Sequence, residues 1–266
     1  MFIVKIPGIN GLGKTKGCER AGSAILNSLK EIYSNEQGKL IDVQLLDLEE
    51  IHLDNSNLNL TNRLIYKNCL EIFQTKSKVV FLGGDHSISY STTRAFLDSC
   101  KERNKEPCLI VFDAHADLAE SIKEPTHKGW LRALVEKGFP CENILLVGVR
   151  NLERHELEFL NKNKIQKVSM NNLNENLQEV CDIITEFANG KDLYVSIDID
   201  VVDPAFAPAT GNCEPGGLTS WQIIYLVQRL NKRKNLRAFD LVEINPEKDK
   251  TDLTVKLGAK ILSELI

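Results

Sequence analysis

Carboxylates and imidazoles recur at the ends of the apolar runs of this chain. KVVFLGGDHS ends near His86, CLIVFDAHAD carries Asp113, His115 and Asp117, LYVSIDID carries Asp198 and Asp200, and RAFDLVEI leads to Glu243. Residues i and i+2 of an extended strand face the same side, so Asp113 and His115, or Asp198 and Asp200, can converge on one point. A single Asp closing a strand is more often a cap, and a single His a hydrogen-bonded bystander. Three clusters together carry more weight. Burying four carboxylates beside two imidazoles costs several kcal/mol unless cations neutralise them. A dinuclear divalent site supplies that charge. The set is rich in oxygen and lacks thiolate, which favours Mn²⁺ over structural Zn²⁺ and leaves Fe²⁺, Co²⁺ and Ni²⁺ open. Two such metals, about 3.5–4 Å apart, can bridge a water and lower its pKa toward neutrality. The chemistry is hydrolysis, with the substrate left open by spacing alone.

A second motif competes. GINGLGKT, residues 8–15, follows the apolar FIVKI and matches the G-x-x-x-x-G-K-[ST] pattern of nucleotide-binding loops, and LIVFD could supply the strand-borne Asp of such a site. A phosphate cradle needs a helix starting at Lys14–Thr15. Here KGCERAG follows, and sustained helical period begins only near Arg20, so a P-loop NTPase is the disfavoured alternative.

Positioning these groups requires a regular scaffold. FIVKI, IDVQLL, KVVFLG, CLIVFD, NILLVGV, IQKVS, LYVSIDID and RAFDLVEI read as strands. Helical period falls at 20–34, 61–76, 88–104, 128–138, 153–162, 171–189, 219–233 and 251–265, with the Asn-rich loop 53–62 entering its helix at Thr61 or Asn62. Strict β/α alternation implies parallel strands covered by helices on both faces. An open doubly wound sheet is the preferred arrangement, and a closed eight-stranded barrel the alternative. Ligands of such sheets bind where strand C-termini release their loops, and the Pro- and Gly-rich loop 203–219 leaves the most carboxylate-rich strand.

The 266 residues suit one domain (1–266), and 42% hydrophobic residues suffice for its core. With 33 Lys+Arg against 37 Asp+Glu the formal charge is -4, which gives no electrostatic reason to expect nucleic acid. Seven scattered cysteines without a CxxC pair suggest a reducing, cytoplasmic setting, and no apolar run is long enough for a membrane span.

GGDHS at 83–87, DAHADL at 113–118, SIDIDVVDPAFAPATG at 196–211 with EPGGLT at 214–219, and DLVEINP at 240–246 resemble, in order, the signatures of the ureohydrolases, the arginase and agmatinase family. The resemblance implies a three-layer α/β/α sandwich around an eight-stranded, mainly parallel sheet, and assembly as a homotrimer or hexamer. It implies two Mn²⁺ per chain, one held by His86, Asp113, Asp117 and Asp198, the other by His115, Asp113, Asp198 and Asp200. It further implies that a bridging hydroxide, oriented by Asp117, attacks a guanidinium carbon to give urea and an amine. Glu243 corresponds to the carboxylate beside the guanidinium, a planar cation suited to paired N–H bonds. His127, in EPTHKGWL, falls where the family places a proton-shuttling histidine, although Lys128 occupies the position of a small residue. In GVRNLERHE, Glu153 matches the acid that arginases present to an α-amino group, and Glu156 lies near a second acid. His52 and His155 have no such context and read as surface residues. AESIKEPT is shorter than the arginase loop that reads an α-carboxylate and offers no Asn, while FAPATGNCEPGG looks more like the agmatinase branch. An agmatinase-like hydrolase of a small guanidino compound is therefore the first expectation. Arginase, another guanidino-acid or formimino hydrolase, and a non-catalytic metal-binding member are the alternatives.

Overall fold

Eight strands form one sheet in the computed structural model, which describes residues 1–266. They are β1 (Phe2–Ile6), β2 (Asp47–Glu50), β3 (Val79–Gly83), β4 (Pro107–Phe112), β5 (Ile144–Val147), β6 (Gln166–Val168), β7 (Asp192–Asp198) and β8 (Leu236–Val242). The order across the sheet is β2-β1-β3-β8-β7-β4-β5-β6, and every pairing is parallel. β2 and β6 are edges that do not pair with each other. The sheet is therefore open, and the barrel alternative does not hold.

Nine helices connect the strands: α1 (Ala21–Leu29), α2 (Leu58–Thr75), α3 (Ile88–Glu102), α4 (Trp130–Glu136), α5 (Arg154–Asn163), α6 (Met170–Glu175), α7 (Leu177–Phe187), α8 (Ser220–Asn231) and α9 (Leu253–Leu265). They divide between two apolar cores. One gathers α1 and α6 to α9 against the sheet through residues such as Ile25, Leu173, Ile184, Leu226 and Ile261. The other gathers α2 to α5 through Phe73, Phe96, Trp130 and Leu160. Strands β3 and β4 are buried along their full length, as uniformly apolar sequences between two helical layers must be. This is the expected three-layer sandwich.

Local departures have simple causes. IDVQLL is not a strand; Asp42 accepts a hydrogen bond from the Gln44 amide at 2.9 Å and caps a short 3₁₀ turn at Val43–Leu45. The strand is instead the polar DLEE, exposed throughout on the sheet edge, while Ile41, Val43 and Leu46 pack against the core from outside the sheet. The segment 171–189 breaks at Asn176, whose non-helical backbone ends α6 and whose side chain accepts from the Glu179 amide at 3.1 Å to start α7. Asn57, not Thr61 or Asn62, caps α2. In place of one helix over 20–34, a 3₁₀ turn at Cys18–Arg20 leads into α1, which stops at Leu29. All seven cysteines are free, and no helix is long and apolar enough to cross a membrane.

Candidate metal centre and active-site cleft

The neighbouring strands β3, β8, β7 and β4 end side by side, and the acids and histidines singled out from the sequence gather at their C-terminal ends. His86 Nδ1 lies 3.0 Å from Asp113 Oδ2, 3.0 Å from Asp117 Oδ2 and 3.2 Å from Asp198 Oδ2. His115 Nδ1 lies 3.0 Å from Asp200 Oδ2 and 3.5 Å from Asp113 Oδ1. Asp113 thus touches both imidazoles. Five of the six side chains are buried, and His115 is partly exposed.

The local backbone aims each acid. Asp113 Oδ1 accepts from the His115 amide (2.6 Å), Asp198 Oδ1 from the Asp200 amide (2.8 Å) and Asp200 Oδ1 from the Ala114 amide (3.1 Å). One oxygen of each carboxylate is held by an N–H, and the other points into the cluster. Asp117 is held by Trp130 Nε1, which donates to its Oδ2 at 2.9 Å.

Two residues that sequence reasoning passed over orient His86. Ser196 Oγ donates to Asp240 Oδ1 at 2.6 Å and lies 3.0 Å from His86 Nε2. With its proton committed to Asp240, the hydroxyl accepts from Nε2–H, which leaves the Nδ1 lone pair facing three carboxylate oxygens. Asp240 is further held by Ser89 Oγ and Tyr194 Oη, each donating at 2.8 Å. The only sequence signal for both residues is a polar position within a mostly apolar central strand; the β7–β8 register, which sets them opposite each other, gives it meaning.

The donor set fits divalent cations. Neither His86 Nδ1 nor Asp113 Oδ2 has a hydrogen-bond partner, although both are buried, and His86–Asp113–Asp198 and Asp113–His115–Asp200 each place ligand atoms within 4.8 Å of one another. In protein alone, protons must supply the missing charge. Burial pulls the His115 pKa down, but Asp113 and Asp200 push it up to about 12. Burial and the Asp113 charge raise Asp200 to about 7 and Asp117 to about 6. Burial and the neighbouring acids hold Asp198 well above the carboxylate range, while the two histidines outweigh burial and draw Asp113 down.

Beside the cluster, Glu243 Oε1 accepts from the His86 amide at 3.0 Å and lies 3.3 Å from His127 Nδ1. Glu243 (φ 65°) and Asp117 (φ 53°) both adopt the left-handed backbone that disfavours side chains, at a cost of about 1–3 kcal/mol each. Glu243 is fixed there by its amide, which donates to Gly84 O at 2.9 Å. His127 is buried; burial lowers its pKa, but the hydrogen bond and charge of Glu243, with Asp85 and Asp117 behind, raise it overall. His52 and His155 are exposed, and His155 lies against the Glu153 carboxylate, its Nδ1 3.5 Å from Oε2.

A cleft of about 150 Å³ opens over these groups, and its walls add Lys128, Asn151, Glu153, Asn212 and Glu214. Glu153 stands at the mouth. Glu156 is a fixture, since its oxygens accept from the amides of Glu153 and Leu118 at 3.0 Å each, tying α5 to the DAHADL loop. Glu214, which the sequence did not single out, accepts from Asn151 Nδ2 at 2.5 Å and lies 3.5 Å from His115 Nε2.

GINGLGKT does not make a phosphate cradle. The Asn10 amide and Thr15 Oγ1 donate to Asp85 Oδ2 at 2.6 and 2.7 Å, so a carboxylate of this chain occupies the position at which the loop's donors aim. Lys14 is exposed and does not line the cleft, and α1 starts only at Ala21.

An open α/β/α sandwich with paired acid–imidazole clusters at its strand ends defines a metal-hydrolase architecture. The model of the arginase family matches residues 2–266, and the chain belongs to that family, whose members are hydrolases acting on amidino carbon–nitrogen bonds. Agmatinase of Bacillus subtilis is 30% identical over 230 residues, covering 85% of this chain and 76% of that protein. The structure of proclavaminate amidino hydrolase from Streptomyces clavuligerus superposes with a TM-score of 0.88 at 24% identity, covering 99% of this chain and 89% of the other. That of agmatine ureohydrolase of Thermoplasma volcanium gives a TM-score of 0.85 at 24% identity, covering 99% and 87%.

Proposed function

We propose that this protein is a two-Mn²⁺ amidinohydrolase that splits a small guanidino compound into urea and an amine, with an agmatine-like substrate preferred. The observation that carries the reading is the cluster of His86, Asp113, His115, Asp117, Asp198 and Asp200 beside the Glu243–His127 pair, with His115, Asp117, Asp198 and Asp200 opening onto the same cleft as that pair. When bound, the metals supply positive charge among the acids and lower the pKa of the attacking water. Similarity to the agmatinase of Bacillus subtilis supports the substrate class.

The chain's own groups divide the remaining work. Glu243 Oε1 is engaged by His86 and His127, which leaves Oε2 to accept guanidinium N–H bonds. Gly211 keeps that approach open, because a Cβ there would come within 2.9 Å of Glu243 Oε2. Asp117 Oδ2 accepts from Trp130 Nε1 and faces the His86 lone pair across the cluster, which leaves Oδ1 to accept from the attacking water and orient it. His127 holds its Nδ1 on Glu243 and delivers a proton from Nε2 to the leaving amine. At the mouth, Glu153 and Glu214 favour a substrate with a cationic far end.

Lys128 supports a second reading, a guanidino or formimino acid whose carboxylate pairs with that ammonium. After Mn²⁺ reconstitution, urea release from agmatine, arginine and guanidinobutyrate, set against formamide release from formiminoglutamate, separates the two. Agmatine turnover at the highest kcat/KM supports the first. Faster turnover of an acid supports the second, with formamide as product for a formimino compound. Retained metal without hydrolysis of any amidine overturns both in favour of a binding role. Assembly as a homotrimer or hexamer is checked by light scattering of the eluting protein.

A further inference from the structure

The mechanism does not account for GINGLGKT, yet the loop is bound tightly to the site. Its carbonyl at Gly8 accepts from the Asp85 amide at 3.0 Å, and Gly84 must be glycine there because a Cβ would overlap that carbonyl. Asp85 Oδ2 then takes the Asn10 amide and the Thr15 hydroxyl. Asn10 faces the other way with its remaining groups. Its Nδ2 donates to Pro125 O at 2.8 Å and Glu124 O at 3.4 Å, and its backbone carbonyl accepts from the His127 amide at 3.4 Å.

These contacts matter because His127 stands on an irregular segment. From Asp113 to Gly129 the chain forms neither helix nor strand, so no ladder of backbone hydrogen bonds fixes the ring beside Glu243. On its outer side the segment is held by Asn59 and Asn62 of α2, which donate to the Glu124 carboxylate at 2.8 and 2.6 Å. On its inner side Asn10 supplies the connection, and Asp85 anchors Asn10 one residue from His86.

We propose that Asn10 is a positioning residue for the proton-delivering His127, held in place by Asp85 and Thr15, so that the loop resembling a phosphate cradle serves as a strap across the site. The inference rests on the assignment of His127 made above. Geometry sets its importance: a proton donor acts only within hydrogen-bond reach of the leaving group, so displacing the ring slows turnover while leaving guanidinium recognition by Glu243 in place.

Asn10→Ala and Thr15→Val test this in the full-length, Mn²⁺-loaded protein, with Thr15→Ser as the conservative control. Metal content and thermal midpoint are measured first, together with hydrogen exchange of peptides covering 119–129. The expected result for Asn10→Ala is faster exchange in 119–129 with metal content unchanged. Its kcat should fall about tenfold, the scale of one lost hydrogen bond, with KM within about twofold. Thr15→Val should show the same pattern more weakly, and Thr15→Ser should restore it. In a His127→Ala background, Asn10→Ala should lower kcat no further. Additive losses, or unchanged exchange in 119–129, would overturn the proposal. If the wild type hydrolyses no amidine, the proposed function falls, and the exchange measurement still decides whether Asn10 holds the segment.

Discussion

Asp113 contacts both imidazoles, His86 through Oδ2 and His115 through Oδ1, so it is the residue shared by the two candidate ligand groups. Asp113→Ala should therefore reduce metal content from about two per chain to less than one, measured by elemental analysis of purified protein. His127→Ala should keep its metal and lose turnover, which separates ligand from proton donor. The charge state of His127 gives a pH signature. Burial opposes its protonation, but Glu243 raises its pKa above the ordinary histidine value of 6.5, and a donor is active only while protonated. The alkaline limb of kcat should thus lie above pH 6.5 and move to lower pH in Glu243→Gln, as read from the kcat profile of both proteins. Most residues of this cluster were legible because each carries an acid or imidazole at a strand end. Ser196 and Asp240 were not singled out, because a hydroxyl and a carboxylate inside a strand gain meaning only from their partners across β7 and β8.

At the level of elements, β7 and β8 place Ser196 opposite Asp240 and so fix the tautomer of His86 on β3's outgoing loop. Ser196→Ala should weaken Mn²⁺ binding about tenfold while leaving the fold intact, measured by titration calorimetry, since partners of a ligating histidine commonly contribute that much. The central strands were readable because burial on both faces requires uninterrupted apolar sequence. The edge strand β2 was not, because DLEE pairs with β1 on one side only and satisfies no burial pattern. The break at Asn176 was hidden for a related reason. Apolar period continues across it through Leu173 and Val180, and only the capping geometry divides α6 from α7.

For the whole molecule, the carboxylate cluster makes stability depend on pH and metal together. Burial and the neighbouring acids raise Asp117 to about 6 and Asp200 to about 7 from an unfolded value of 3.8. Their contribution is fully present below pH 3.8 and is lost as pH rises through 6 and 7. The imidazole of His115, raised to about 12, loses stability in the same direction. Asp113 runs the opposite way and matters only in acid, where it is protonated. Metal-free protein should therefore unfold at lower temperature at pH 8 than at pH 5.5, and added Mn²⁺ should raise the midpoint more at pH 8, as followed by thermal denaturation. By itself the sequence determined the alternation of strands and helices, the six candidate metal ligands and the family, because burial periodicity and acid–imidazole spacing are local properties. It favoured an open sheet without excluding a barrel, since both satisfy the same alternation; the unpaired edges β2 and β6 decided that. It could not assign GINGLGKT, because the anion a glycine loop encloses lies elsewhere in the chain. Folding brought Asp85 from 70 residues beyond Thr15 into that position, and with it turned a phosphate-binding pattern into part of the wall that holds His127.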